Sequence, residues 1–209
     1  MTEIRDARWM SWNRRLARRV LRPFVSTRME PNHITTARIL TGLAACAGFA
    51  EGTSSVAVWG GVLWVLSAFL DRCDGEFARM TGRSSRFGAI YDLTGDVVIN
   101  SGVFLAIGIG TRASFVGPWA IVFGALAATG IAIASVCAEW NERGMAAGEK
   151  TFNGIFGFDF DDFVYAIAPF AWFGALEPLL IGAAIGGPVA GAIIAGKLIR
   201  KRRRPDAEA

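Results

Sequence analysis

The sequence predicts an all-α, polytopic membrane protein with six transmembrane helices and an N-terminal amphipathic helix at the membrane interface. Of its 209 residues, 53% are hydrophobic and only 19% are charged, which is a more apolar balance than that of most soluble domains. The apolar residues form long runs separated by short polar breaks, and several runs approach the ~20 residues that cross the hydrocarbon core. The predicted spans are 34–50, 56–79, 88–110, 117–138, 161–176 and 179–197.

The N-terminal segment has the pattern of a helix that lies on the membrane surface. Trp9, Trp12, Leu16 and Val20 recur at spacings of three and four residues, and arginines occupy the other faces. The segment lacks the uninterrupted apolar core and the cleavage site of a signal peptide. The predicted parts of the chain are a juxtamembrane segment over 1–33, a six-helix transmembrane domain over 34–200 and a basic, disordered cytoplasmic tail over 201–209.

The lysine and arginine residues predict how the helices are oriented. They are dense in the N-terminal segment, in the loop after the second span, in the connection after the fourth span and in the tail, whereas the other connections carry only Arg112. By the positive-inside bias, both termini and the loop after the second span face the cytoplasm. The 22 basic residues exceed the 18 acidic ones, but they lie beside the spans, so we predict no nucleic-acid partner.

Four aspartates lie in the second and third spans, where a charged group is costly. Asp71 and Asp74 follow the apolar stretch 56–70, and Asp92 and Asp96 begin the next one. An ionisable group inside a span costs about 2.5–3.5 kcal/mol, so four of them require compensation. Residues three or four apart share a helix face, so the two pairs can hold two divalent ions between adjacent helices. The alternative, that the aspartates lie at helix ends in the water interface, explains two convergent pairs poorly.

Small and basic residues accompany the aspartates at fixed spacing. Gly75 and Ala78 lie within one turn of the first pair, and Gly88 lies one turn before Asp92. Small side chains at these positions allow two helices to approach closely or leave room for a flat ligand. Arg79 adds a cation that can bind phosphate.

The resulting pattern is D-x-x-D-G-x-x-A-R, eight residues, then G-x-x-x-D-x-x-x-D, and it resembles the signature of the CDP-alcohol phosphotransferase family. The match has no departure at its eight fixed positions. The resemblance implies an integral membrane enzyme that cleaves the pyrophosphate of a CDP-linked alcohol, releases CMP and passes the phospho-alcohol to a hydroxyl acceptor. It implies that Mg²⁺ or Mn²⁺ is bound by Asp71, Asp74 and Asp92, with Asp96 as general base and further metal ligand. Residues that would line the nucleotide diphosphate site are Gly75, Ala78, Arg79, Ser85 and Gly88.

A second short match precedes the first span. Pro31, Asn32 and Thr35 resemble the Pro-Asn-x-x-Thr segment that helps to close the cytidine site in the family. The alternative is structural, because Asn32 could cap the first spanning helix. His33 is predicted to be an interfacial residue rather than a metal ligand.

The acceptor alcohol is the least specified part of the prediction. Acidic residues lie near the cytoplasmic end of the fifth span, where the inositol-phosphate branch of the family would be expected to have basic ones. Such carboxylates could hydrogen-bond the hydroxyls of a polyol or receive an amine, or one of them could cap the fifth helix. The candidate acceptor residues are Arg143, Lys150, Asp159, Asp161, Asp162 and Arg200.

The size of the chain resembles that of the bacterial family members that use CDP-diacylglycerol. The predicted partners are therefore a CDP-linked lipid donor, a small polar alcohol and membrane lipids, with a homodimer left open, and the predicted location is a bacterial inner membrane. One alternative is transfer from a soluble CDP-alcohol to a lipid hydroxyl. A second is a cation or proton-coupled transporter, which would also place carboxylates in the membrane but would not require the accompanying glycines and arginine.

Overall fold

The computed structural model describes residues 12–143 and 164–203, and it describes their side chains except those of 141–143 and 201–203. This part of the chain contains helices and turns but no strand, which confirms the all-α prediction. In chain order the helices are α1 (Trp12–Leu21), α2 (Pro31–Glu51), α3 (Ser54–Thr81), α4 (Arg86–Gly110), α5 (Trp119–Arg143), α6 (Ile167–Trp172) and α7 (Leu176–Arg203).

Local signals explain where α2 begins and where α2 and α3 end. Glu30 is the N-cap of α2, with its side chain accepting from the backbone of His33 and the His33 side chain accepting from the backbone of Glu30. This reciprocal arrangement satisfies two backbone donors that the first turn leaves unpaired. The cap is therefore Glu30 and not Asn32, which lies inside the first turn. Gly52 and Gly82 follow α2 and α3 in the left-handed backbone conformation, with φ of 88° and 65°. Residues that have a Cβ adopt this conformation only at an energetic cost, so glycine is favoured at both helix ends.

Four helices in the described residues are long and apolar enough to cross a membrane. They extend over Ser54–Thr81, Arg86–Ala113, Trp119–Trp140 and Leu176–Arg200 and coincide with the second, third, fourth and sixth predicted spans. The first predicted span, 34–50, lies inside the 21-residue helix α2, whose early turns carry polar side chains and a buried arginine. Of the fifth predicted span, 161–176, the structure describes the six-residue helix α6, and the residues before 164 lie outside the described part.

Each helix packs against one or more of the others. Helix α2 contacts both α3 and α4, α5 packs on α4, and α7 packs on α5, while α6 and α1 contact α3. The main core lies among the long helices, where Phe49, Trp64, Ile107 and Leu180 are at most 1% exposed. The contacts of α2 with both α3 and α4 hold the two aspartate-bearing helices against a common partner.

Helix α1 forms within the predicted juxtamembrane segment. Ala17 and Leu21 are buried in a small cluster with Ile34, Cys73 and Phe77, so one face of the helix packs on α3. The adjacent stripe, about 100° around the helix, is apolar and exposed, and it consists of Trp12, Leu16 and Val20. Trp9 lies outside the described residues. An exposed apolar stripe is what an interfacial helix requires, and its placement at the membrane stays a prediction.

Small residues bring α5 and α7 into close contact. A Cβ added to Gly130 would overlap the backbone of Gly187 and Pro188, and one added to Gly191 would lie 2.8 Å from the Gly130 carbonyl oxygen. Since lipid surrounds the helices, such close packing of backbones is one of the main forces that associates them.

We predict that Gly130→Ala destabilises the protein, because the added methyl group forces the two backbones apart. Overpacking of this kind costs about 1–3 kcal/mol, and thermal unfolding in detergent would measure it. Gly186→Ala is the matched control on α7, since a Cβ there meets nothing within 4 Å. Equal melting temperatures for the two variants would contradict the proposed contact.

Candidate functional site

Three aspartates converge from α3 and α4, which both pack on α2. Each of Asp71, Asp74 and Asp92 offers one carboxylate oxygen, and the three oxygens lie within 4.8 Å of one another. The spacing of three residues places the α3 pair on one face. The short turn after Gly82 leads into α4, and α2 packs against both helices. Three carboxylate oxygens at this separation form a group that could hold a divalent ion.

Asp74 is the most enclosed of the three. It is 5% exposed, and the Thr35 hydroxyl of α2 donates a hydrogen bond of 2.9 Å to its Oδ2. Because the hydroxyl donates, this bond orients the carboxylate while leaving its other oxygen for a ligand. The structure therefore places Thr35 against a predicted metal ligand, as well as beside Asn32 in the predicted cytidine segment.

The central cation of the site is Arg38 of α2, which the sequence interpretation missed. Its side chain is 3% exposed, and its Nε lies 3.1 Å from Oδ1 of Asp71. Its Nη1 lies 3.9 Å from Oδ1 of Asp92, and its Nη2 forms an ion pair with Asp96. The Arg38 carbonyl also accepts a 2.9 Å hydrogen bond from Ser67 of α3. One guanidinium thus contacts carboxylates on both helices.

The donor set fits a hard divalent ion. Oxygen ligands from carboxylates suit Mg²⁺ and Mn²⁺. Oδ1 of Asp92 is buried and has no hydrogen-bond partner among the described residues. A buried acceptor left in this state is costly unless a ligand or ion completes it. Asp71, Asp74 and Asp92 are therefore the residues that would hold a metal, and Asp96 lies next to them through Arg38.

The glycines of the motif have different surroundings. A Cβ added to Gly75 would meet only Arg79, with Nη2 at 3.4 Å, so the space beside Gly75 is open to a ligand. A Cβ added to Gly88 would lie 2.9 Å from Oδ1 of Asn32 and 3.1 Å from Oγ of Ser85. Gly88 therefore allows the start of α4 to approach the start of α2, which brings Asn32 to the site.

Two further predicted residues have local partners. Ser85 is the N-cap of α4, and its hydroxyl oxygen accepts a 2.9 Å bond from the backbone N–H of Gly88. Arg79 is 55% exposed and donates a 2.9 Å bond from Nη2 to Oε1 of Glu76. Ala78 is half-buried on the same helix.

Four of the six candidate acceptor residues fall outside the part of the chain that the structure describes. Lys150, Asp159, Asp161 and Asp162 lie outside the described residues. Arg143 ends α5, and its side chain is not described, whereas Arg200 is exposed in the last turns of α7. Their role stays a prediction.

Glu76 is the second charged residue that the sequence interpretation missed. Its side chain is completely buried and forms ion pairs with Arg14, Arg18 and Arg79. It lies two residues after Asp74 and hence on another face of α3. A signal for both missed residues was present, because each is a charged residue inside a predicted span.

We predict that Arg38→Gln makes the stability of the protein depend on divalent metal. Without the guanidinium, the clustered carboxylates repel one another, at a cost of about 1–3 kcal/mol given their partial exposure. Addition of Mg²⁺ should then raise the melting temperature of the variant more than that of the wild type. Arg112→Gln, which removes an exposed arginine, is the control. Identical Mg²⁺ responses in all three proteins would show that Arg38 does not balance the aspartates.

The chain is similar to known proteins in both a pairwise comparison and a comparison with a family model. Archaetidylinositol phosphate synthase from Pyrococcus horikoshii is 32% identical to this chain over 92 residues, which are 44% of this chain and 47% of that protein. The match thus covers about half the length of the relative. The family model for CDP-alcohol phosphatidyltransferase matches residues 28–193, which include α2, both aspartate-bearing helices and most of α7. The chain belongs to the CDP-alcohol phosphatidyltransferase family of transferase enzymes.

Proposed function

We propose that this protein transfers a phosphatidyl group from a CDP-linked lipid to the hydroxyl of a small polar alcohol and releases CMP. The observation that carries the proposal is the convergence of Asp71, Asp74 and Asp92 within 4.8 Å in a chain of this family. The preferred donor is CDP-diacylglycerol, as the size of the chain and its apolar helices favour a lipid-linked nucleotide. The alternative is transfer from a soluble CDP-alcohol, which the CMP-release experiment below distinguishes.

The reaction exchanges one bond to phosphorus for another. The acceptor hydroxyl oxygen bonds to the lipid-side phosphorus, while the bond from that phosphorus to the bridging oxygen breaks. CMP leaves with the bridging oxygen and the bonding electron pair, and the hydroxyl proton passes to Asp96. The chemistry requires mainly positioning and neutralisation of charge.

Residues of this chain would divide that work. Mg²⁺ or Mn²⁺, as one ion or a pair, held by Asp71, Asp74 and Asp92 with Asp96 as a further ligand, would supply positive charge to the diphosphate oxygens. Arg79 would add a cation beside the open space at Gly75. Asn32, Ser85 and Gly88, which lie together where the starts of α2 and α4 meet, would border the nucleotide.

The acceptor is proposed to be a hydroxyl compound, and the name of the archaeal relative suggests which compounds to test first. The archaeal relative is named for the synthesis of archaetidylinositol phosphate, so inositol phosphate is the first acceptor to test. Arg143, Lys150 and Arg200 are the cations that would hold its phosphate. Asp159, Asp161 and Asp162 favour instead an unphosphorylated polyol or an amine, and serine, inositol and glycerol phosphate complete the panel.

The orientation follows from the basic segments. Arginines on α1 and at the end of α7 favour a cytoplasmic position for both termini and the aspartate site, and the proposed location is a bacterial inner membrane. The exposed stripe of Trp12, Leu16 and Val20 supports contact of α1 with the lipid surface. The proposed total of six spans adds α2 and the fifth predicted span to the four long apolar helices.

The proposed activity can be tested directly by CMP release. Purified protein would be incubated with CDP-diacylglycerol, each acceptor and Mg²⁺ or Mn²⁺. We expect CMP and one lipid product that depend on both acceptor and metal. A transporter would release no CMP, and CMP release from CDP-choline with diacylglycerol alone would establish the alternative donor.

We predict that Asp74→Asn lowers the transfer rate by about 10²-fold or more, as expected when a group that stabilises transition-state charge is removed. The substituted amide keeps the size and the acceptor oxygen for Thr35, so folding should change little. Glu51→Gln is the matched control, because it neutralises an exposed carboxylate that binds Thr53 at the other end of α2. Full turnover by Asp74→Asn would contradict its assignment as a ligand.

A separate prediction concerns the proton acceptor. Asp96→Asn should lower kcat far more than it changes KM for CDP-diacylglycerol, because the amide cannot take the hydroxyl proton. Steady-state kinetics at saturating acceptor would measure both constants. A rise in KM with kcat preserved would show that Asp96 binds the donor and does not act as a base.

A further inference from the structure

We propose that Glu76 is a positioning residue that couples the docking of α1 to the binding of the CDP-linked donor, acting through Arg79. The inference rests on the proposed function, since it assigns a task to the arginine that would contact the donor diphosphate. Glu76 lies outside the fixed positions of the aspartate motif, and its carboxylate is completely buried.

The carboxylate of Glu76 is shared among three arginines. Arg14 donates from Nε to Oε1 at 2.5 Å, and Arg18 donates from Nε to Oε2 at 2.7 Å. Arg79 donates from Nη2 to Oε1 at 2.9 Å. Charge-assisted bonds of this kind are shorter and stronger than neutral ones, and a buried carboxylate without them would be strongly disfavoured. Glu76 therefore holds all three guanidinium groups in fixed positions.

Two of these arginines belong to α1. Arg14 and Arg18 are four residues apart, so they lie on the same face of the helix. Beside them Ala17 and Leu21 pack against Cys73 and Phe77 of α3. The ion pairs and the apolar contacts thus fix α1 against the same stretch of α3 that carries the site.

The third arginine reaches the proposed donor site. Nη2 of Arg79 lies 3.4 Å from the position of a Cβ at Gly75, the residue that follows Asp74. Its side chain is 55% exposed, so the guanidinium contacts Glu76 and still faces solvent. Without Glu76 as an anchor, Arg79 would sample other rotamers, and binding of a diphosphate would have to select the productive one.

The net charge of the cluster also matters. One carboxylate faces three guanidinium groups, so the assembly carries a positive excess beside the acidic site. An excess of this sign attracts a diphosphate, whereas removal of Arg14 and Arg18 would let Glu76 hold Arg79 alone with no such excess. Docking of α1 would therefore change both the position of the Arg79 guanidinium and the electrostatic potential at the donor diphosphate.

A double-mutant cycle tests whether Glu76 acts through Arg79. Affinity for CDP in the presence of Mg²⁺ would be measured by calorimetry in detergent for the wild type, E76Q, R79Q and the double variant. We expect E76Q to weaken CDP binding about tenfold, the size of one charge-assisted hydrogen bond, because loss of the anchor for Arg79 outweighs the larger positive excess that E76Q leaves. The double variant should bind no more weakly than R79Q. Additive losses in the double variant would overturn the inference, because they would mean that Glu76 and Arg79 act independently.

A second pair of variants keeps the test informative if E76Q does not fold. R14Q/R18Q removes the two arginines of α1 that contact Glu76, whereas R15Q/R19Q removes two exposed arginines of the same helix and changes the net charge equally. We expect a severalfold rise in KM for the donor with kcat preserved in R14Q/R18Q only. Equal rises in both would overturn the inference in favour of a general effect of surface charge.

The outcomes also separate this inference from the proposed function. Wild-type protein that binds no CDP and releases no CMP would overturn the proposed function and the inference together. Wild-type protein that binds CDP, with E76Q binding it equally well, would overturn the inference alone. Rescue of CDP affinity by E76D, which keeps the charge, would support the ion pairs as the cause.

Discussion

The ion pairs of Arg38 with the aspartates of α3 and α4 are the interaction on which the arrangement of the bundle depends. Carboxylates brought this close repel one another, and inside a membrane bundle they cannot be left to solvent alone. The guanidinium of α2 contacts Asp71 on one helix and Asp92 and Asp96 on the other. Helix α2 therefore has to lie against both α3 and α4. The polar and charged residues that this position requires make α2 less hydrophobic than an ordinary membrane span.

The sequence predicted the parts of this arrangement that depend on local spacing. Long apolar runs identify α3, α4, α5 and α7, because each run exceeds the thickness of the hydrocarbon core. The two aspartate pairs are three and four residues apart and lie on consecutive helices joined by a short turn. Helix geometry places each pair on one face of its helix, and the cost of unpaired charge inside a span predicts that the two faces share a ligand.

The residues that the sequence did not reveal have partners far away along the chain. Glu76 pairs with Arg14 across 62 positions, and nothing local distinguishes Arg14 from the other arginines of α1. Arg38 is easier to single out, since it is a cation inside a predicted span. Its carboxylate partners on α3 and α4, however, could not be predicted from sequence spacing. The short helix α6 lies inside the fifth predicted span, 161–176, but its bounds could not be predicted, because a six-residue helix leaves too few turns for a periodic pattern.

Helix α3 separates an acidic site from a basic cluster, and each has its own counter-charge. Asp74 and Glu76 are two residues apart, hence about 200° apart around the helix at 3.6 residues per turn. Thr35 orients Asp74 from α2, and Arg14 and Arg18 hold Glu76 from α1. Because the two sets of contacts come from different helices, a movement of α1 would displace the basic cluster without loosening the aspartates. The proposed control of donor affinity by α1 can therefore be independent of the carboxylates that would bind the metal.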